Sequence, residues 1–222
     1  QKARSLKVNL SATLEQALKD KLKSVEAEKW KQENKAAISA YNEFVSENGC
    51  ISDWTNDALE VLDKLTSGPQ ILVGSSMGGW ISLLIGKRRP TRCKALIGIA
   101  AAPDFTENSF WANFDEKKRV ELVQNGFVVL PSEYSDEPYI ITKKLIEDGR
   151  SNLVMDKPLD LPFPVRLLQG MKDTEVHYSE ATKIAANMVN EDVNVFLLKS
   201  ADHQFSSPKC LSLLKQTIEE FL

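Results

Sequence analysis

Apolar residues follow two different rhythms along this chain. Leu14, Leu18, Leu22 and Val25 recur at steps of four, four and three, which places them on one face of a helix. Trp30, Ile38, Tyr41 and Val45 continue a weaker stripe, Asn9 or Ser11 can cap its start, and Asn48-Gly49 supplies a left-handed stop. Residues 1–52 hold no proline and one glycine, so the pattern predicts a long amphipathic helix. Its charges alternate in sign, as on a solvated face.

From residue 53 the rhythm shortens. Trp54 to Leu65 predicts a helix with Leu59, Val61, Leu62 and Leu65 apolar, and Ser67-Gly68-Pro69 breaks it. Four short β-branched or leucine-rich runs follow, at 70–73, 95–99, 165–168 and 193–198, interleaved with helical patterns at 77–89, 179–190 and 209–221. This alternation predicts an α/β fold, a parallel sheet with flanking helices. Residues 105–160 interrupt it with mixed helical character and the aromatics Phe105, Phe110, Trp111, Phe114, Phe127, Tyr134 and Tyr139. The insertion reads as a lid whose aromatics either line a pocket or form a small core of their own. The expected organisation is a helical segment over 1–52 and an α/β domain over 53–222, with the lid at about 105–160.

Composition excludes several classes. With 42% hydrophobic and 27% charged residues in 222, disorder and collagen are out. A net charge of −3 provides no global field for nucleic acid or an anionic membrane. No apolar run approaches the roughly 18 residues of a membrane span. Cys50, Cys93 and Cys210 are odd in number and lack metal-ligand spacing, which argues against a disulfide framework or a zinc site and fits a reducing cytosol. The chain opens Gln1-Lys2-Ala3-Arg4 without an initiator Met or an apolar signal core, so a start further upstream is expected.

The chemistry is expected at the end of the first run. Ile71-Leu72-Val73-Gly74-Ser75-Ser76-Met77-Gly78-Gly79 reads as a strand, then G-x-S-x-G, then a helix, the context a nucleophile elbow requires. Gly74 and Gly78 are expected to flank Ser76 because the corner is too tight for side chains, and Gly79 to allow close packing. A plain Gly-Ser turn is the simpler alternative. A phosphate loop is not, because no Gly-Lys-Ser/Thr follows. A serine hydroxyl is a weak nucleophile at neutral pH, so the elbow calls for a histidine base and an acid, in the order Ser, Asp/Glu, His.

Two histidines are present. His203 follows the last strand, where a loop can bring an imidazole over the elbow. His177 follows the third strand too closely and reads as a rim residue. Asp173 is the preferred acid, since Gly170 ends the third strand in a tight turn. Asp104, just past the second strand, is the runner-up. Asp202 reads as a loop aspartate. No cofactor is called for.

These motifs resemble the α/β-hydrolase family, within it the abhydrolase-domain group of palmitoyl-protein thioesterases and acyl-glucuronide esterases. The resemblance covers residues 53–222 and rests on Gly74-Ser75-Ser76-Met77-Gly78-Gly79-Trp80, Ala95-Leu96-Ile97-Gly98-Ile99-Ala100, Leu130-Pro131-Ser132-Glu133-Tyr134-Ser135, Arg166-Leu167-Leu168-Gln169-Gly170-Met171-Lys172-Asp173 and Ser200-Ala201-Asp202-His203. It implies a Ser76, Asp173, His203 triad acting on a small-molecule acyl ester or thioester, with the Met77 N–H in the oxyanion hole. The family's first strands, and the loop that donates a second oxyanion N–H, have no counterpart in residues 1–52. A truncated sheet is therefore expected, with the 71–73 strand at an edge and activity weakened by one missing donor.

A second resemblance covers residues 3–50. Val8-Asn9-Leu10-Ser11-Ala12-Thr13-Leu14-Glu15, Glu28-Lys29-Trp30-Lys31-Gln32-Glu33-Asn34 and Tyr41-Asn42-Glu43-Phe44-Val45-Ser46-Glu47-Asn48-Gly49 look like the C-terminal half of a CcdA-type antitoxin. It implies a toxin protein as partner for this segment, while the DNA-reading strand would lie upstream of Gln1. A serine hydrolase, a toxin-binding module and an inactive fusion remnant are thus the three expectations.

Overall fold

The computed structural model describes residues 49–130 and 139–222, together with Lys21, Leu22, Val25 and Lys29. The chain divides into two compact units, Gln1–Asn48 and Gly49–Leu222. In the first, the four described positions are helical, and Leu22 and Val25 are exposed. The other stripe residues of the expected long helix, Leu14, Leu18, Trp30, Ile38, Tyr41 and Val45, lie outside the described residues, as do its caps at Asn9 or Ser11.

The second unit opens with α1 (Ile51–Leu65), which begins three residues before the expected Trp54. Ile51, Thr55, Leu59 and Leu62 recur at steps of four, four and three and are buried, so the packing face starts at Ile51 and draws the helix back to it. Val61 and Leu65, expected on that face, are exposed.

β1 (Gln70–Ser75), α2 (Met77–Arg88), β2 (Cys93–Ile99), β5 (Val165–Gly170), α5 (Ser179–Asn187), β6 (Val193–Leu198) and α6 (Pro208–Glu219) realise the predicted alternation. The four strands form a parallel sheet in the order β1-β2-β5-β6. Among the described residues β1 pairs with β2 alone, and Val73 is exposed. Alternate side chains point to opposite faces of a strand. Leu96 and Leu167 therefore join Trp80, Leu83 and Leu84 of α2 and Ile184 of α5 on one face. Ile97 and Leu168 join Phe205 and Cys210 on the other, packed by Leu213, Leu214 and Ile218 of α6. Each fully buried aliphatic side chain contributes about 1.5–3 kcal/mol, which makes the two-faced sheet the stable centre of this unit.

Between β2 and β5 the insertion holds a π-helical turn (Thr106–Trp111), α3 (Glu116–Asn125), an antiparallel hairpin of β3 (Phe127–Leu130) and β4 (Tyr139–Thr142), and α4 (Lys143–Ser151). The hairpin departs from the expected helical character. Val128 and Ile141 sit opposite each other and are buried, while Val129 and Ile140 on the other face are exposed, the alternation of a half-buried ribbon. Phe114, Leu122, Val128, Ile141 and Ile146 form a separate small core. Phe105 meets Trp80 edge-on at 5.6 Å and Phe110 at 5.2 Å, so the lid aromatics continue inward to the main core. Tyr134 lies outside the described residues.

The insertion is tied back at Asn152. Its carbonyl accepts the Trp80 indole N–H at 3.1 Å, and its side chain bonds Ser52 and Arg88 at 2.9 Å each. Thus α1, α2 and the end of the lid share one buried polar residue. On the far side of the sheet, Arg166 of β5 meets Asp192 at 2.8 Å and Glu220 at 2.5 Å and lies 5.1 Å from the Phe221 ring. The Glu220 hydrogen bonds, then the Asp192 contact, raise the guanidinium's proton affinity against the cost of burial.

Candidate active site

β1 delivers Ser76 to a sharp corner. Its N–H still bonds the Ile99 carbonyl at 2.8 Å, as a continuing strand residue would, while its φ of 52° and ψ of −120° are a conformation that costs a non-glycine residue about 1–3 kcal/mol. The Ser76 carbonyl accepts from Gly79 at 2.9 Å and from Ala102 at 3.1 Å, bonds that hold the strain. Ala100, Asp104 and Phe205 also have positive φ, and all lie in the turns that follow β2 and β6. Strain is thus gathered at the carboxyl end of the sheet.

The glycines divide the work differently from expectation. A β-carbon on Gly74 would overlap the Gly78 carbonyl and the Ser82 hydroxyl, and one on Gly79 would lie 2.5 Å from the Ala101 β-carbon. On Gly78 it would meet nothing within 4 Å. Close approach therefore requires Gly74 and Gly79, whereas the expected crowding at Gly78 is absent.

Asp173 lies in the turn beyond β5 with its side chain fully buried. One carboxylate oxygen accepts the N–H groups of Glu175 and Val176 at 2.9 and 2.8 Å. The other meets His203 Nδ1 at 2.9 Å and accepts from the Gln169 amide at 2.9 Å. Three N–H donors thus fix the carboxylate, and the fourth contact is the imidazole itself. His203 reaches it from the turn after β6, where Asp202 accepts the Phe205 N–H at 3.3 Å. Asp202 shapes that turn.

Asp104 is elsewhere in the network. It is 2% exposed, and its oxygens accept the N–H groups of Val154 and Met155 at 2.9 Å each. Burial is the main cause that raises its proton affinity above the usual carboxylate value of 3.8, with those two N–H groups opposing it. The runner-up acid anchors the returning lid. His177 is exposed, accepts the Ser179 N–H at 3.3 Å and stacks on Tyr178 at 4.3 Å, consistent with a rim position.

Ser76, Met77 and His203 line one cavity of about 660 Å³. Phe105, Phe110, Leu130, Tyr139 and Ile141 form its apolar wall, and Thr174, Glu175, His177 and Glu180 a polar one. Both expectations for the lid aromatics hold, by residue: Phe105 and Phe110 line the cavity, while Phe114 fills the lid core. Met77 is the first residue of α2, so its N–H belongs to the group that a helix start leaves without intrahelical partners. An acyl group in this cavity would find a hydroxyl, a helix start and an imidazole within one enclosure.

Motif reading did not single out Gln169, whose amide donates to the Asp173 oxygen that meets His203. The available signal was an amide in a strand that is buried at every position, four residues before the acid. The cysteines lie away from this chemistry: all three are free and buried, and burial is the main cause that pushes the Cys50 and Cys93 thiols up to about 11. Among the described residues no cluster of His, Cys, Asp and Glu could hold a metal ion, and no helix is long and apolar enough to cross a membrane.

Residues 1–55 match the family model of the post-segregation antitoxin CcdA. The chain is also similar to the palmitoyl-protein thioesterase ABHD10, mitochondrial, of Homo sapiens, with 36% identity over 179 residues, 80% of this chain and 58% of that protein. Among solved structures, a putative hydrolase from Agrobacterium vitis S4 matches with TM-score 0.75 and 39% identity, covering 78% of this chain and 69% of that one. The mouse alpha/beta hydrolase domain-containing protein 10 matches with TM-score 0.72 and 35% identity, covering 78% and 70%. The chain spans 56–58% of the length of the curated relatives it matches.

Proposed function

Since the chain belongs to the α/β-hydrolase family of these thioesterase-named relatives, we propose that it cleaves carboxylic esters or thioesters through an acyl-enzyme on Ser76. The observation that carries this reading is the Asp173–His203 hydrogen bond of 2.9 Å, with His203 on the same cavity as the strained corner at Ser76.

His203 takes the Ser76 proton, Ser76 attacks the acyl carbonyl, and the leaving alcohol or thiol receives that proton. Water then enters with His203 again as base, releasing the acid and restoring the serine. Asp173 fixes the imidazole tautomer and stabilises the imidazolium. The Met77 N–H receives the oxyanion. If it were the sole donor, turnover would fall by about 100- to 1,000-fold relative to a two-donor site. The apolar wall of Phe105, Phe110, Leu130 and Ile141 suits an acyl chain, in keeping with the palmitoyl group for which those relatives are named.

A fluorophosphonate probe should label the chain at Ser76, and Ser76→Ala should abolish the labelling. A cooperatively folded, unlabelled protein would instead favour the inactive remnant. The match over residues 1–55 favours a second reading, an antitoxin-like module. Full-length chain that fails to retain a small toxin of the matching family would remove it. The three buried thiols suit a reducing compartment, the cytoplasm or, as in the name of the ABHD10 relatives, the mitochondrion.

A further inference from the structure

β5 is buried along its whole length, and Val165-Arg166-Leu167-Leu168-Gln169-Gly170 sets an amide just before its end. Gln169 is 1% exposed. Its Nε2 donates to Asp173 Oδ2 at 2.9 Å and to the Val176 carbonyl at 3.1 Å. His203 Nδ1 meets the same Asp173 oxygen at 2.9 Å. One carboxylate oxygen therefore sits between the base and the Gln169 amide.

The amide's other atom makes the placement informative. Gln169 Oε1 is buried with no hydrogen-bond partner among the described residues, an arrangement that proteins largely avoid. Turning the amide over would not relieve it. Oε1 would then face the Asp173 carboxylate and the Val176 carbonyl, and Nε2 would lose both acceptors. The orientation is fixed by those acceptors, and an orphaned carbonyl is retained in order to keep an N–H on Asp173.

We propose that Gln169 is a positioning residue for the hydrolytic site: its N–H holds Asp173 Oδ2 toward His203 and draws negative charge from that oxygen. This rests on the reading of Ser76, His203 and Asp173 as a triad. An oxygen with one donor fewer is more negative and stabilises a neighbouring imidazolium more strongly. The base works as neutral imidazole, so removing the donor moves the acid limb of the rate profile to higher pH. A residue that only filled space at the end of β5 would leave the limb where it is.

The test is the pH dependence of Ser76 acylation by a fluorophosphonate probe. It compares the unaltered chain with Gln169→Met, which fills similar space without an N–H. Gln169→Met should move the acid limb upward by on the order of half a pH unit or more. A slower reaction with an unmoved limb overturns the proposal. A second measurement needs no variant: the Gln169 side-chain amide resonances should shift through the same midpoint as the His203 ring, in a chain with two histidines. Amide resonances that stay flat while the ring titrates also overturn it. An unaltered chain that takes no label strikes the triad reading itself, and the amide titration then still decides whether Gln169 acts on the Asp173–His203 pair.

Discussion

Gly170 ends β5 with its bare α-carbon against the Ala201 carbonyl, close enough that a β-carbon would overlap it. The same carbonyl accepts the Lys172 N–H at 2.9 Å, and Met171 bonds the Leu198 carbonyl at 2.9 Å. The turns leaving β5 and β6 are thus stitched together, and they carry Asp173 and His203. Contact between Asp173 and His203 depends on a missing side chain three residues before Asp173.

Gly170→Ala should therefore separate the two turns. Overpacking of this kind typically costs about 1–3 kcal/mol, which leaves a folded protein. The activity loss should exceed the stability loss, because a small displacement breaks the His203–Asp173 bond. Urea denaturation and hydrolysis of an aryl ester, measured on the same sample, make the comparison. Equal losses would count against the stitching argument.

The two aspartates should separate cleanly. Asp173→Asn should lower turnover by about 10⁴-fold with little change in folding, since the amide disturbs the imidazole tautomer. Asp104→Asn should leave turnover nearly unchanged and cost about 1–3 kcal/mol, because one buried N–H at Val154 or Met155 then faces an NH₂. The pH dependence follows from its raised proton affinity. The folded state holds that proton more tightly than the unfolded chain. The resulting stability is fully present below the usual value of 3.8 and is lost as pH rises through the folded value. Asp104→Asn should remove that falling segment from a plot of urea midpoint against pH.

Gly74 and Gly78 look equivalent in the motif and should behave differently. Gly74→Ala should abolish probe labelling, since its β-carbon collides with backbone at Gly78 and with Ser82. Gly78→Ala meets open space and should fold as well as the unaltered chain, by circular dichroism and thermal melting.

Cys50 and Cys93, with thiols pushed up to about 11 by burial, should resist iodoacetamide at pH 8 in the native state. The thiolate fraction there is on the order of 10⁻³. All three thiols should react once urea unfolds the chain. Fast native labelling at Cys50 or Cys93, read by mass spectrometry, would show that their surroundings open.

Much of this molecule was written locally. The strand, G-x-S-x-G, helix order around Ser76 was legible because a corner and its neighbours are adjacent in sequence. Short β-branched or leucine-rich runs marked the four strands of the main sheet, and helical patterns the helices that flank them, for the same reason. Longer-range facts were not legible. Asp104 and Asp173 both follow strand ends, and their roles diverged only when chain 50 residues away bonded one and a histidine 30 residues away bonded the other. The β3–β4 ribbon depended on pairing between two separate segments, Phe127–Leu130 and Tyr139–Thr142. Nothing in the local pattern singled out Gln169 until the fold placed its amide on Asp173. Local pattern determines which element forms, because backbone geometry and burial repeat over a few residues. Which polar groups share a buried site is decided by tertiary packing, since each must find its partner wherever the chain returns.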